Sequence, residues 1–148
     1  MTAFFDTNVL VSASERNHPH FESASKLVKQ VIASGEKRLI CLHSIAEIYA
    51  SLTRLPVQPR IQPDQAARIV HENILPHFTP VPLAESDYLA ALDMVGSQGN
   101  AGGKIYDALL LQCAARCAVK RVYTFNVRDF RRLAPAGLEG MIQSPDLI

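Results

Sequence analysis

The stretch Ala3-Phe4-Phe5-Asp6-Thr7-Asn8-Val9-Leu10 decides the fold. Its apolar run, Ala3 to Phe5, reads as a short buried strand that stops at Asp6. Asn8 to Ser14 reads as a helix. A carboxylate at the end of a buried strand is costly to leave unpaired, so Asp6 needs a cap, a cation or a metal.

Further along, apolar residues recur at helical spacing from Phe21 to Ile32 until Ser34-Gly35 ends the run. Arg38 to Leu42 is a second strand, followed by a helix from Ser44 to Arg54. Pro56, Pro59 and Pro63 make a loop, and Pro63 opens a helix with Ala66, Ile69, Val70 and Ile74 on its apolar side. Phe78 to Leu83 is extended, but Pro80 and Pro82 confine it to an edge or to irregular pairing. A helix from Glu85 to Val95 leads into the glycine-rich loop 99–103. The almost wholly apolar stretch Lys104 to Ala118 predicts a helix buried on more than one side. Arg121 to Phe125 is a strand, Val127 to Leu133 a short basic helix with Phe130 as a core anchor, and Met141-Ile142 a last edge strand. Strands alternating with helices imply an α/β three-layer sandwich, its mostly parallel central sheet flanked by helices on both faces. Residues 1–148 are expected to form one domain.

Composition narrows the function. With 48% apolar and 20% charged residues the chain is an ordinary globular protein. The N-terminal residues carry no basic region, and no run approaches the roughly 18 apolar residues of a membrane span, so no membrane association and a cytoplasmic location are expected. Cys41, Cys113 and Cys117 lack zinc-site spacing and read as buried thiols. The net charge of +1 hides a basic stretch: residues 104–132 carry seven Lys and Arg against Asp107 and Asp129. Either contact with phosphates or a set of solvated helix faces accounts for it.

In sheets of this kind, ligand sites lie outside the carboxyl ends of the strands. Asp6 directly follows the first strand. Glu47 falls in the first turn of the helix after the second strand. Asp107 lies in the first turn of the buried helix, and Asn126 and Asp129 follow the strand ending at Phe125. Each of the later residues has a purely local explanation as well. Ser44-Ile45-Ala46-Glu47 is a capping-box sequence. Asp107 suits a helix dipole, and Asn126 with Asp129 suits a cap and an acidic first turn. Carboxylates converging on one edge repel unless a cation holds them. Mg²⁺ bound by a few carboxylates and a substrate phosphate would supply water activation and charge stabilisation without a histidine base.

Four elements together resemble the PIN-domain nucleases. Phe4-Phe5-Asp6-Thr7-Asn8-Val9-Leu10 is similar to their opening strand–Asp-x-Asn–helix, and Ser44-Ile45-Ala46-Glu47 to their second acidic element. Lys104-Ile105-Tyr106-Asp107-Ala108-Leu109-Leu110 resembles the third, and Tyr123-Thr124-Phe125-Asn126-Val127-Arg128-Asp129-Phe130 the closing T-x-N-x-x-D-F element. Order and spacing match over nearly the whole chain. Its size is most similar to the VapC-like toxins of type II toxin–antitoxin systems.

The resemblance implies a PIN-like fold and Mg²⁺- or Mn²⁺-dependent endonucleolytic cleavage of RNA. It also implies a homodimer and a cognate antitoxin as inhibitor. Carried over by position, it makes Asp6, Glu47 and Asp107 metal ligands and Asp129 a fourth catalytic carboxylate, since Asn126 carries no charge. Asn8, Thr124 and Asn126 would orient them, and Lys104, Arg128, Arg131 and Arg132 are candidate RNA contacts. A basic antitoxin segment would suit the acidic pocket, with the helices around Phe21–Ile32 and Glu47–Leu52 as candidate receiving surfaces. Dimer contacts are expected near the end of the Asp107–Ala118 helix and the strand after it. His43, near the site edge, reads as incidental.

Two rivals remain. An aspartyl-phosphate phosphatase needs a second Asp where this chain has Asn8. A PIN-like module that only binds RNA or protein has no reason to gather anions beside phosphates.

Overall fold

The computed structural model describes residues 1–147. Its five-stranded sheet has the order β3-β2-β1-β4-β5, every neighbouring pair parallel. The strands are β1 (Thr2–Phe5), β2 (Lys37–Cys41), β3 (Thr79–Val81), β4 (Arg121–Tyr123) and β5 (Ile142–Gln143). The helices are α1 (Thr7–Ser14), α2 (Phe21–Ser34), α3 (Ser44–Arg54), α4 (Pro63–Ile69), α5 (Glu85–Ser97), α6 (Lys104–Arg116) and α7 (Val127–Leu133). The α/β sandwich expected from the sequence is the fold. No helix among the described residues is long and apolar enough to cross a membrane.

β1 is the middle strand, and Ala3, Phe4 and Phe5 are fully buried because both sheet faces are covered. Side chains alternate across a strand, so β1 feeds two cores. Ala3 and Phe5 join Leu10, Leu27, Ile48 and Tyr123 on one face, and Phe5 packs edge-on against Phe78 with ring centroids 5.1 Å apart. Phe4 joins Leu39, Leu110, Leu111, Val122 and Phe130 on the other. The first core takes side chains from α1–α4 and the second from α5–α7. The chain changes face on its way from β3, at one edge, to β4 on the far side of β1. α6 lies on this crossover, which is why Ala108 to Leu111, Cys113 and Ala114 are all buried. Cys41 and Cys113 are buried free thiols, as expected, whereas Cys117, just past the end of α6, is only half-buried.

Proline explains the edge. Pro80 pairs with Ile40 in β3, which has β2 as its one sheet neighbour, so the missing N–H interrupts no second ladder. Pro63 is the first residue of α4, and Gln65 closes that helix start by accepting from the Gln62 N–H at 2.8 Å. The periodic run to Ile74 continues past α4 as a wider π-type turn, Val70–Ile74.

Several element boundaries differ from expectation by a residue or two, and two of them have a clear physical reason. β4 stops at Tyr123, where the Thr124 hydroxyl turns to the Asp6 carboxylate, the Phe125 N–H to Asn8 Oδ1, and the Asn126 N–H back to Thr124 Oγ1. α6 ends at Arg116 rather than Ala118, and Ala118 takes a left-handed conformation with φ 50° before Lys120 N–H donates to Thr2 at 2.8 Å. A β-carbon is unfavourable there and glycine is the residue that tolerates it. Ala118→Gly should therefore stabilise the protein by up to about 1 kcal/mol, a rise in melting temperature of roughly 2–4 °C. An unchanged or lowered melting temperature would show that the turn carries no strain.

Candidate active site

Asp6 leaves β1 in extended conformation (φ −70°, ψ 149°) as the residue that precedes α1, yet its carboxylate makes no capping bond to that helix. It accepts instead from Thr124 Oγ1 at 2.7 Å, and the same oxygen accepts from the Asn126 N–H at 2.9 Å. β1 and β4 are neighbours, and their connections run to opposite sides of β1. Asp6 and Thr124 thus meet at the topological switch point, where parallel sheets form their ligand crevices.

Glu47 arrives from the other flank. The capping box readable in Ser44–Glu47 does not form: His43 is the residue preceding α3, and no side chain caps the helix. Ser44 is buried and its Oγ lies 3.0 Å from Thr7 Oγ1, which is also 3.5 Å from Glu47 Oε1. Glu47 is thereby released to the cleft. Asp107 comes from the first turn of α6.

Asp6, Asn8, Glu47, Asp107 and Asn126 line one cleft of about 330 Å³, with Thr7, His18, Val11, Ser51 and Leu55 completing it. Thr124 lies beneath, fully buried. Asp129 does not line the cleft. Its carboxylate is ion-paired with Lys104, which holds it below its ordinary protonation range. Lys104 also lowers Asp107, whereas Asp129 raises it, so the pair acts on the cleft through charge. Arg128, Arg131 and Arg132 are exposed on α7 outside the cleft lining, and Arg131 donates to the Ile142 carbonyl at 3.3 Å. His18, read from the sequence as a loop residue, is a cleft residue. Only the fold brings the segment after α1 back to Asp6.

The electrostatics are those of an uncompensated acidic cluster. Burial pushes the Asp6 carboxyl up to about 7, against the hydrogen bond from Thr124 and with repulsion from Asp107 and Glu47. Burial likewise raises Asp107 to about 6, opposed by Lys104 and reinforced by Glu47 and Asp129. Glu47 is raised by burial and lowered by His43 and the contact with Thr7. No group of three His, Cys, Asp or Glu side chains among the described residues is drawn tightly enough to hold a metal ion as it stands. Mutual repulsion works against such an arrangement in a metal-free cleft. The donor set, three carboxylates sharing a polar crevice, still suits a hard divalent ion, whose charge would relieve the repulsion.

Fold and cleft together define a small parallel α/β protein with an acidic crevice at its switch point. The chain belongs to the PIN domain family, whose model matches residues 3–135. It is 36% identical over 111 residues to ribonuclease VapC27 of Mycobacterium tuberculosis (strain ATCC 25618 / H37Rv), covering 74% of each chain. Its fold is similar to that in the crystal structure of FitAcB from Neisseria gonorrhoeae, with a TM-score of 0.69, 16% identity, and 99% of this chain and 100% of that one covered. It is also similar to VapBC2 from Rickettsia felis bound to a DNA fragment from its promoter. There the TM-score is 0.65, the identity 15%, and the coverage 97% and 98%. At these identities the two structures speak for the fold alone.

The raised carboxyls make stability depend on pH and metal. In chelator the folded state holds protons on Asp6 and Asp107 that an unfolded chain, with carboxyls near 3.8, releases. The stability they contribute is complete below pH 3.8 and is lost as pH rises through about 6 and about 7. The loss is on the order of 4 kcal/mol for Asp6 at 1.36 kcal/mol per unit. In EDTA the melting temperature should fall from pH 5 to pH 7.5. Mn²⁺ should raise it more at pH 7.5 than at pH 5, and Asp6→Asn should flatten the profile. A flat profile in EDTA with no metal response would mean that the carboxylates do not share one field.

Proposed function

We propose that this chain is a divalent-metal-dependent endoribonuclease, the toxin of a VapC-type toxin–antitoxin pair. The observation that carries the reading is the meeting of Asp6, Glu47 and Asp107 in one cleft with their carboxyls raised by burial. The likeness to ribonuclease VapC27 supports RNA as its substrate class. Mg²⁺ or Mn²⁺ bound there would lower the pKa of a coordinated water and offset charge on the cleaved phosphodiester.

Asp6, Glu47 and Asp107 are the proposed ligands. Thr124 fixes the Asp6 carboxylate and Thr7 stands against Glu47. Asn8 is 3.5 Å from the Phe125 N–H, which ties α1 to the residues after β4. Asn126 lines the cleft beside them as a neutral polar group. Asp129, the proposed fourth carboxylate, acts through Lys104 and through its field on Asp107. The phosphatase alternative falls on Asn8, which lines the cleft where a second acid is required. A binding-only module would gain nothing from three anions facing phosphate.

RNA, a cognate antitoxin with a basic segment and a second copy of the chain are the proposed partners, and the cytoplasm the proposed compartment. The structure changes where a dimer contact is sought. Val122 and Tyr123 of β4 are buried between β1 and β5, so that strand is a poor dimer contact, whereas Ala115, Arg116 and Ala118 around the end of α6 are exposed, next to α5 through the Arg116–Asp87 pair. Ala24, Leu27, Val31, Ile48 and Leu52, on the two helices considered for an antitoxin segment, are core residues instead. Apart from Met1 and Leu147 near the chain ends, the exposed large apolar side chains among the described residues are Tyr88, Leu89 and Leu92 on α5, with Leu42, Tyr49 and Tyr106. The α5 face is the proposed homodimer contact.

With Mn²⁺ and single-stranded RNA, Asp6→Asn, Asp107→Asn and Glu47→Gln should each lower cleavage at least 100-fold while the protein still melts cooperatively. Asp129→Asn should cost under tenfold. Parental rates in the first three would remove the site from consideration. For the dimer, sedimentation should show that the pair Leu89→Asp and Leu92→Asp converts a dimer to a folded monomer; a monomeric parent protein would end that part of the proposal.

A further inference from the structure

The carboxylate cleft does not stop at Glu47. Glu47 and Ser51 also line an adjoining hollow of about 370 Å³, completed by Ala46, Ala50, Arg54, His43 and Tyr106. On the α3 side, alanine and serine leave room for a flat group. The Tyr106 and His43 rings stand parallel, with centroids 5.5 Å apart and planes 9° apart. Tyr106 is 47% exposed, so one aromatic ring is offered to solvent with a second ring behind it. Tyr106 directly precedes Asp107 on α6, and His43 directly precedes α3, which carries Glu47. The stack is thus tied by its backbone to two of the three cleft carboxylates.

The charge pattern is equally specific. No Lys or Arg lines the carboxylate cleft, and Lys104 is held by Asp129. Arg54 is the one guanidinium lining either hollow, and it is exposed, with no ion-pair partner among the described residues. The other aromatic stack near the cleft, His20 on Phe125 at 4.4 Å, differs. Phe125 packs against the core and neither ring lines the cleft.

We infer that the hollow walled by Tyr106, His43 and Arg54 is a nucleotide subsite, in which an RNA base beside the cleaved phosphate stacks on Tyr106 and Arg54 takes a neighbouring phosphate. The inference rests on the ribonuclease reading and narrows its substrate class. A base within a duplex is already stacked on both faces, so the seat selects unpaired bases in single strands or loops. Stacking tolerates every base, so the seat sets which strand geometry enters rather than which letter.

The test uses equilibrium binding of labelled single-stranded oligoribonucleotides to protein carrying Asp6→Asn, in Mg²⁺, so that the RNA stays intact. A single abasic position is moved along the strand. Tyr106→Leu should weaken binding roughly tenfold or more, and Tyr106→Phe should stay within about threefold. One abasic position should weaken the parent by a similar factor and leave the Tyr106→Leu variant indifferent. Arg54→Gln, at an exposed position, should reduce the salt dependence by about one phosphate contact. Equal abasic penalties at all positions in the parent would overturn the subsite, and that reading requires no Tyr106 variant. So would unchanged RNA binding by Tyr106→Leu, or a loss confined to binding of a co-expressed antitoxin. The ribonuclease reading fails separately: if protein with Asp6 intact cleaves no RNA in Mn²⁺ but binds it through Tyr106, the subsite stands and the enzyme does not.

Discussion

A carboxylate at the end of a strand buried on both faces is largely stripped of water even where it lines a cleft, and the rest of the cleft is arranged around that fact at Asp6. Burial works against its charge, the Thr124 hydroxyl partly supports it, and Asp107 and Glu47 add repulsion. No cation among the described residues is ion-paired with it. A residue in this condition is expensive for the metal-free fold, and an ion that replaces the missing water removes the expense. The helix-capping roles open to these residues go unused. Asp6 does not cap α1, Asn126 does not cap α7, and Ser44 bonds to Thr7 instead of closing α3. Helix ends are left to backbone contacts so that side chains can serve the crevice.

The basic stretch near the C-terminus is resolved by the same accounting of charge. Lys104 goes to Asp129, Arg116 to Asp87 at 2.8 Å, and Arg121 to Glu36 at 3.4 Å. Asp87 and Glu36 lie outside the basic segment, so the local surplus is partly a set of ties between α6 or β4 and the rest of the chain. Arg116 also donates to the Pro82 carbonyl at 2.7 Å, fixing the connection after β3. These pairs are partly exposed and each is worth little alone. Their consequence is geometric: each ties a cation to a carboxylate outside the cleft, so Lys104 offsets the charge on Asp107 only in part and Asp107 stays raised.

The fold was legible because its central strands and the helices between them are diagnostic. Apolar runs as short as Ala3–Phe5 and Leu39–Cys41 are buried on two faces, and alternation with amphipathic helices admits few other topologies. The carboxylates were legible because Asp6, Glu47 and Asp107 each sit within a turn of a strand end or a helix start, which places them without any long-range information. His18, Arg54 and the pairing of Tyr106 with His43 were not, although His43 alone reads as near the site edge. They reach the crevice through packing between elements distant in sequence, and an exposed Tyr beside an Asp has no periodic signature. Asp129 shows the converse limit. Its spacing marks it as acidic and near the site, but whether it faces the crevice or a lysine depends on where the start of α6, which carries Lys104, is placed.

That division separates two kinds of work within one crevice. Charge at the switch point is set by residues whose positions follow from the backbone, since strand ends and helix starts leave little freedom. The adjoining hollow is built from an exposed ring, small helix residues and one arginine, none of which the core requires. Substitution at Ala46, Ala50, Arg54 or Tyr106 would leave both cores intact, because these side chains belong to neither cluster. Under the proposed function, this arrangement lets the strand that is accepted change without disturbing the carboxylates. In this chain, that freedom has been used to place an aromatic ring one residue from Asp107.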